Sequence, residues 1–189
     1  MIYSKYGMTH LRNLLRDIYA RYPWYATNSE LTDLVQAGAL KPQSAPIAVY
    51  TMGYEGRSVD SFLNRLLRAG IRRIVDVRAN PVSRKYGFAG GALSALAGKL
   101  GLQYTHCPEL GIPSDRRKEV HTTSEFQQLF WYYEQRILPP KADEIARVAK
   151  LMNTSPSVLV CMEKEAVNCH RSRLAARLAS VTNLKVVHL

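Results

Sequence analysis

The stretch LVCMEKEAVNCHRSRLAARL, residues 159–178, opens as an apolar run and closes as an amphipathic helix. A strand that turns directly into a helix is the unit of a parallel α/β sheet, so this junction decides the fold class. Its chemistry is dense: Glu163, Lys164, Cys169, His170, Arg171 and Ser172 stand between the two elements or in the first helical turn. A helix start presents unpaired N–H groups and a partial positive charge, which hold anions. Arg171 adds a planar fork for carboxylate or phosphate, and Ser172 a hydroxyl donor. Cys169 at such a position is expected to border a cleft as a thiolate, with His170 as base or proton carrier. The alternative is that Cys169 is a small buried residue and His170 a capping donor.

Outward from this junction the same alternation recurs. IAVYTMG (47–53), RRIVDVR (72–78), LQYTHCPEL (102–110), SVLVCM (157–162) and KVVHL (185–189) read as strands. Between them lie helical patterns: SVDSFLNRLLRAG after a Ser58 cap, GGALSALAGKLG, SEFQQLFWYYEQRIL up to Pro139-Pro140, KADEIARVAKLM, and HRSRLAARLAS. Near-continuous apolar strands, each followed by a helix, predict an α/β three-layer sandwich with a mostly parallel sheet of about five strands. Residues 1–45 differ. THLRNLLRDIYARY predicts an amphipathic helix ended by Pro23, SELTDLVQAGAL a second one starting at Ser29, and KPQSAP a linker. The expected division is a helical N-terminal extension, 1–45, and an α/β domain, 46–189. The extension docks on the domain, pairs with another copy, or reads DNA as a helix pair.

In open parallel sheets, ligands bind beyond the carboxyl ends of the strands. Tyr54, Glu55, Asp76, Arg78, Glu109, Glu163 and Lys164 all fall there. Asp76, an acid inside IVDVR, requires a partner, and Arg78 or Arg171 is the expected one. The loop RANPVSRKYGF, with Ser83 and Arg84, combines bases and rings suited to a nucleotide base or single strand, or is simply a solvated basic loop. His106-Cys107 and Cys169-His170 lack the paired spacing of a zinc site, so neither metal nor other cofactor is expected.

At 189 residues, 47% hydrophobic and 22% charged, the chain is of a size to bury a core without disulfides. Twenty-six Lys+Arg against 15 Asp+Glu give +11, which favours polyanions. Three cysteines, no signal-like start and no long apolar run predict free thiols, a cytoplasmic location and no membrane partner.

TMGYEGRSVDSFL, IVDVRANPVSRKYGF, YTHCPELGIP and VCMEKEAVNCHRS resemble, in that order, the motifs of the domain-of-unknown-function 488 family, over about residues 48–189. The resemblance implies a parallel α/β sandwich and little about chemistry. By motif it points to Asp76, Arg78, Ser83, Arg84, Glu109, Glu163, Lys164, Cys169, His170 and Arg171 as functional positions. A fainter similarity, to rhodaneses and cysteine phosphatases, is architectural only, because neither Cys161 nor Cys169 has their spacing to Arg171. Three functions follow. The first is an enzyme acting on a phosphate-bearing substrate, a nucleotide or nucleic acid. Cys169, His170, Asp76 and Glu163 would react, and Arg171, Ser172, Arg78, Ser83, Arg84, Lys164, Glu109, Tyr54 and Glu55 would bind. The second is a non-catalytic nucleic-acid-binding module, and the third sulfur transfer through Cys169.

Overall fold

The computed structural model describes residues 11–26, 29–31, 44–117, 120 and 122–189. Its strands are β1 (Val49–Gly53), β2 (Arg73–Asp76), β3 (Gln103–His106), β4 (Ser157–Cys161) and β5 (Val186–His188). All pair in parallel, in the order β3-β2-β4-β1-β5. Each expected strand is present, shorter at one or both ends than the apolar run that predicts it.

The helices that follow sort by face. α3 (Val59–Arg68) and α4 (Gly90–Lys99) come after β1 and β2. They pack Phe62, Leu63, Leu66 and Leu93 on Tyr50, Met52, Ile74, Val158 and Val160. α5 (Thr123–Tyr132), α6 (Ala142–Thr154) and α7 (His170–Thr182) follow β3 and β4. They bury Phe130, Ile145, Val148 and Leu174 on the opposite face, against Val49, Val75 and Leu159. Period-two alternation within β1, β2 and β4 feeds both clusters, which is why these strands read as continuously apolar. Because the chain turns from one face to the other on either side of β4, the sheet has its topological switch point there.

Local signals account for the helix ends. Ser58 Oγ accepts from the Ser61 N–H at 3.2 Å, and Thr122 with Glu125 forms a capping box before α5. Asn183, at φ 58°, closes α7 in the left-handed conformation. One element departs from expectation. After Tyr132 the expected single long helix widens to a π turn over Tyr133–Ile137, closed by the Leu138 N–H on the Tyr133 carbonyl at 2.9 Å. The wider turn swings the Tyr133 ring inward, and its hydroxyl donates to the Leu110 carbonyl at 2.6 Å.

In the N-terminal segment, α1 (Leu11–Arg21) stops before Pro23, which opens the short α2 (Pro23–Ala26). Trp24 packs against the α3 cluster, and its N–H donates to Asn64 Oδ1 at 3.0 Å. No residue of α1 is fully buried. Nearly all of the second expected helix, and half of the expected linker, fall outside the described residues. Among the described residues, no helix is long and apolar enough to cross a membrane.

Candidate functional site

The carboxyl ends of β1, β2 and β4 carry two separate networks on opposite faces of the sheet. Asp76 is in register with Val160 and two residues from Ile74, so it faces the α3 and α4 side. Arg78 Nε donates to Asp76 Oδ1 at 2.8 Å, and its Nη2 pairs with Oδ2. Arg78 Nη1 donates to the Phe88 carbonyl (2.8 Å) and the Tyr54 hydroxyl (3.2 Å), and the Tyr104 hydroxyl donates to Asp76 at 2.7 Å. Tyr54 itself stacks on Phe88 with centroids 4.3 Å apart. This is a closed, buried bidentate pair. Arg78, the partner expected for Asp76, has no donor facing a cleft, which corrects its assignment as an anion binder. Asp76 likewise has no route to a substrate proton.

The second network gathers at the end of β4 on the α7 side. Cys161, which shares its parity with Leu159, meets Cys169 and His170 from the start of α7, and their donor atoms lie within 4.8 Å of one another. His170 Nδ1 is 3.8 Å from Cys161 Sγ and 3.9 Å from Cys169 Sγ. Both thiols donate to Glu163 Oε2, at 3.2 Å from Cys161 and 2.8 Å from Cys169. Glu163 Oε1 pairs with Arg117. The His170 Nε2–H donates to the Val77 carbonyl at 3.2 Å, and Tyr133 meets the imidazole edge-on at 5.4 Å between centroids. A carbonyl can only accept, so in the neutral ring the proton is on Nε2 and the bare Nδ1 faces the sulfurs.

The electrostatics reverse one expectation. Cys169 is 1% exposed rather than bordering a cleft. Burial, reinforced by Cys161, pushes its thiol well above the ordinary value in spite of His170. Burial would also raise Glu163, but the Arg117 charge and the two thiol donors outweigh it and hold the carboxyl below its usual range. The ground state is therefore two thiols donating to a carboxylate. Because its folded value is raised, Cys169 stabilises the fold below the unfolded thiol's pKa, and that contribution is lost as pH rises towards the folded value. Maleimide is expected to leave Cys169 unlabelled in native protein at neutral pH and to label it on unfolding, as read by peptide mass spectrometry. Rapid native labelling would mean that the thiol is open and ionised.

Arg171 is 2% exposed, and its guanidinium donates from Nη1 to the Glu163 carbonyl and from Nη2 to the Lys164 carbonyl at 2.9 Å. It shapes the turn, instead of presenting its whole fork to an anion as expected. Ser172 Oγ donates to the Cys169 carbonyl at 2.9 Å. Glu55 Oε2 accepts from the Lys164 N–H at 2.9 Å, fastening the β1 loop to the same turn. Ser83 Oγ accepts from the Lys85 N–H within its own loop, and Arg84 and Glu109 are exposed. Cys107, which the sequence places beside His106, sits with Arg147 away from the cluster, its thiol pushed up to about 12, chiefly by burial.

One basic cleft flanks the turn, and a second adjoins it through Arg57 and Arg65. The first, of about 660 Å³, is walled by Arg57, Arg65, Lys164, Arg171 and Arg173, with Glu134 and Glu165 opposing them. Arg171 Nε and Arg173 Nε are buried there without a hydrogen-bond partner among the described residues. The other, of about 550 Å³, shares Arg57 and Arg65 and adds Arg21, Arg68, Tyr22 and Tyr25. The residues that sequence reading missed are Tyr133, Arg65 and Arg173; Cys161 and Arg57 fall at the carboxyl edge and Arg117 among the basic residues, without an assigned role. The CMEKEAVNCH spacing held a signal for Cys161, as a loop leaving a strand and re-entering a helix at the same edge returns close to its origin.

The family model for the domain of unknown function DUF488 matches residues 58–178. The chain belongs to this family. The DUF488 match spans β2 to β4 and most of α7, and so includes all four members of the Cys161–Glu163–Cys169–His170 cluster. No curated protein and no solved structure matches the chain.

Proposed function

We propose that this DUF488 protein is an enzyme acting on a phosphate-bearing substrate, a nucleotide or nucleic acid, held in the basic cleft beside the 162–172 turn. The observation that carries this reading is the cleft wall: five basic side chains against two acids, Glu134 paired with Arg173 and Glu165 with Lys164, which leaves an excess of positive charge. The reacting groups are those on the inner side of the same turn: Glu163, Cys169 and His170. Cys169 and Glu163, buried with shifted proton affinities beside the switch point, support that role. Lys164, Ser172 and Glu55 order the turn between cleft and cluster. Residues 1–45 form a separate extension in this account, placing Tyr22 and Tyr25 where bases can stack.

That second cleft also favours the other reading, a non-catalytic nucleic-acid-binding module. Sulfur transfer has less support, because neither Cys161 nor Cys169 has the spacing to Arg171 of a rhodanese-type anion loop. The expected result for a short fluorescent oligonucleotide is binding at low salt that weakens roughly tenfold between about 50 and about 200 mM salt. Arg57→Gln with Arg65→Gln should weaken binding and flatten the salt slope. Unaltered affinity in that double variant would remove the cleft from the account. Turnover of any nucleotide that Glu163→Gln abolishes without loss of binding separates enzyme from module.

A further inference from the structure

We propose that Cys161 Sγ, Cys169 Sγ and His170 Nδ1, with the Glu163 carboxylate at the fourth corner, form a zinc site. It lies on the proposed reacting centre and so deepens that reading. Metal uptake is measured without substrate, however, so either can fail while the other stands.

The distances match. A tetrahedral zinc with about 2.3 Å to sulfur and about 2.0–2.1 Å to nitrogen holds those donors roughly 3.6 Å apart. Nδ1 lies 3.8 and 3.9 Å from the two sulfurs, and all three atoms fall within 4.8 Å of one another. Glu163 Oε2, at hydrogen-bond distances of 3.2 and 2.8 Å from the same sulfurs, lies beside the three donors and would move by a small side-chain rotation to complete a set of four.

The support around the donors is what a metal site requires. Metal-binding imidazoles donate their other N–H to a carbonyl or carboxylate, which fixes the tautomer and the ring's direction. His170 does this to the Val77 carbonyl. The turn that carries Glu163 is clamped by Arg171 on two of its carbonyls. Charge closes as well. Two thiolates and one carboxylate around a dication leave one negative charge, and Arg117, paired with Glu163, neutralises it. Two sulfurs, one imidazole nitrogen and one carboxylate oxygen form a mixed soft and borderline set that suits zinc. On binding, each S–H bond breaks, its proton leaves to solvent, and a Zn–S bond forms; nothing is oxidised. The ion thus resolves the mismatch of two un-ionised thiols buried on one carboxylate. With Glu163 bound the site would be closed, whereas with Glu163 kept on Arg117 the three remaining donors would leave the open fourth position that a catalytic zinc requires.

The test uses the full chain, reduced and stripped with a chelator, then given zinc chloride in competition with a chromophoric chelator. The expected result is one zinc per chain with one proton released per cluster thiol. Cys161→Ser and Cys169→Ser should each lose that uptake, and Cys107→Ser should keep it. Because buried serines can unfold the chain, two further measurements keep the question decidable. Cobalt(II) added to the wild-type chain should give thiolate charge-transfer and tetrahedral ligand-field bands. Arg117→Ala, at a side chain 34% exposed, should stay folded and bind zinc about 10–100-fold more weakly. A reduced wild-type chain that takes up only substoichiometric zinc and shows no cobalt–thiolate band would overturn the site. So would uptake lost equally on Cys107→Ser.

Discussion

Asp76→Asn is expected to cost about 3–5 kcal/mol of folding stability, measured by urea unfolding. The side chain is fully buried, and its carboxylate is the counter-charge to Arg78, itself 4% exposed. The amide keeps the shape and removes the charge, so a guanidinium is stranded in a dry interior beside Tyr54 and Phe88. Tyr104, which donates to the same carboxylate, would face an amide instead. A second change, Arg78→Met, should recover much of the loss, because replacing a buried pair by apolar groups is often close to neutral. A loss under about 1 kcal/mol for Asp76→Asn would mean that water reaches the pair. This ion pair is structural in the present account, so the double variant should keep oligonucleotide binding.

Gly53→Ala is expected to have the other large effect, and at the site itself. Gly53 ends β1, and a Cβ there would stand 1.8 Å from the Glu163 carbonyl oxygen and 3.1 Å from Arg171 Nη1. The first obstacle is backbone, and it accepts an Arg171 donor, so it cannot turn aside as a flexible side chain would. The 162–169 turn must move, and Glu163 with it. The expected cost is on the order of 1–3 kcal/mol, with native labelling of Cys161 and Cys169 becoming measurable at neutral pH. Gly91→Ala, in α4 with open space around its Cβ, should change stability little. Equal behaviour of the two variants would mean that the turn is free to slide over β1.

Most of the fold was legible because the strands are buried on both faces and the helices carry ordinary start and stop signals. Ser58, Pro23 and Pro139-Pro140 each mark an element boundary by local chemistry alone. What sequence order hides is the face on which a side chain emerges relative to its neighbours. Asp76 and Cys161 both end strands, and both looked like members of one site. Register places Asp76 beside Val160, so these two residues emerge on opposite sides of the sheet. The burial of Cys169 was hidden for a similar reason. Its charged neighbours Glu163 and Arg171 turn inward, because Arg117, two carbonyls and the thiols satisfy them. Sequence polarity alone reads such residues as exposed. Cys161 had no assigned role because the metal pairing considered was His106-Cys107 with Cys169-His170, whereas Cys161 meets Cys169 and His170 across a seven-residue loop.

Substrate binding beside the turn between β4 and α7 is tested by a crystal structure of the protein soaked with a nucleoside diphosphate. The prediction is that the phosphates lie in the cleft walled by Arg57, Arg65 and Lys164, within hydrogen-bond reach of at least one of those three side chains. Phosphates bound instead in the groove lined by Leu138, Ala142, Ile145 and Arg177, on the far side of α7, would contradict it.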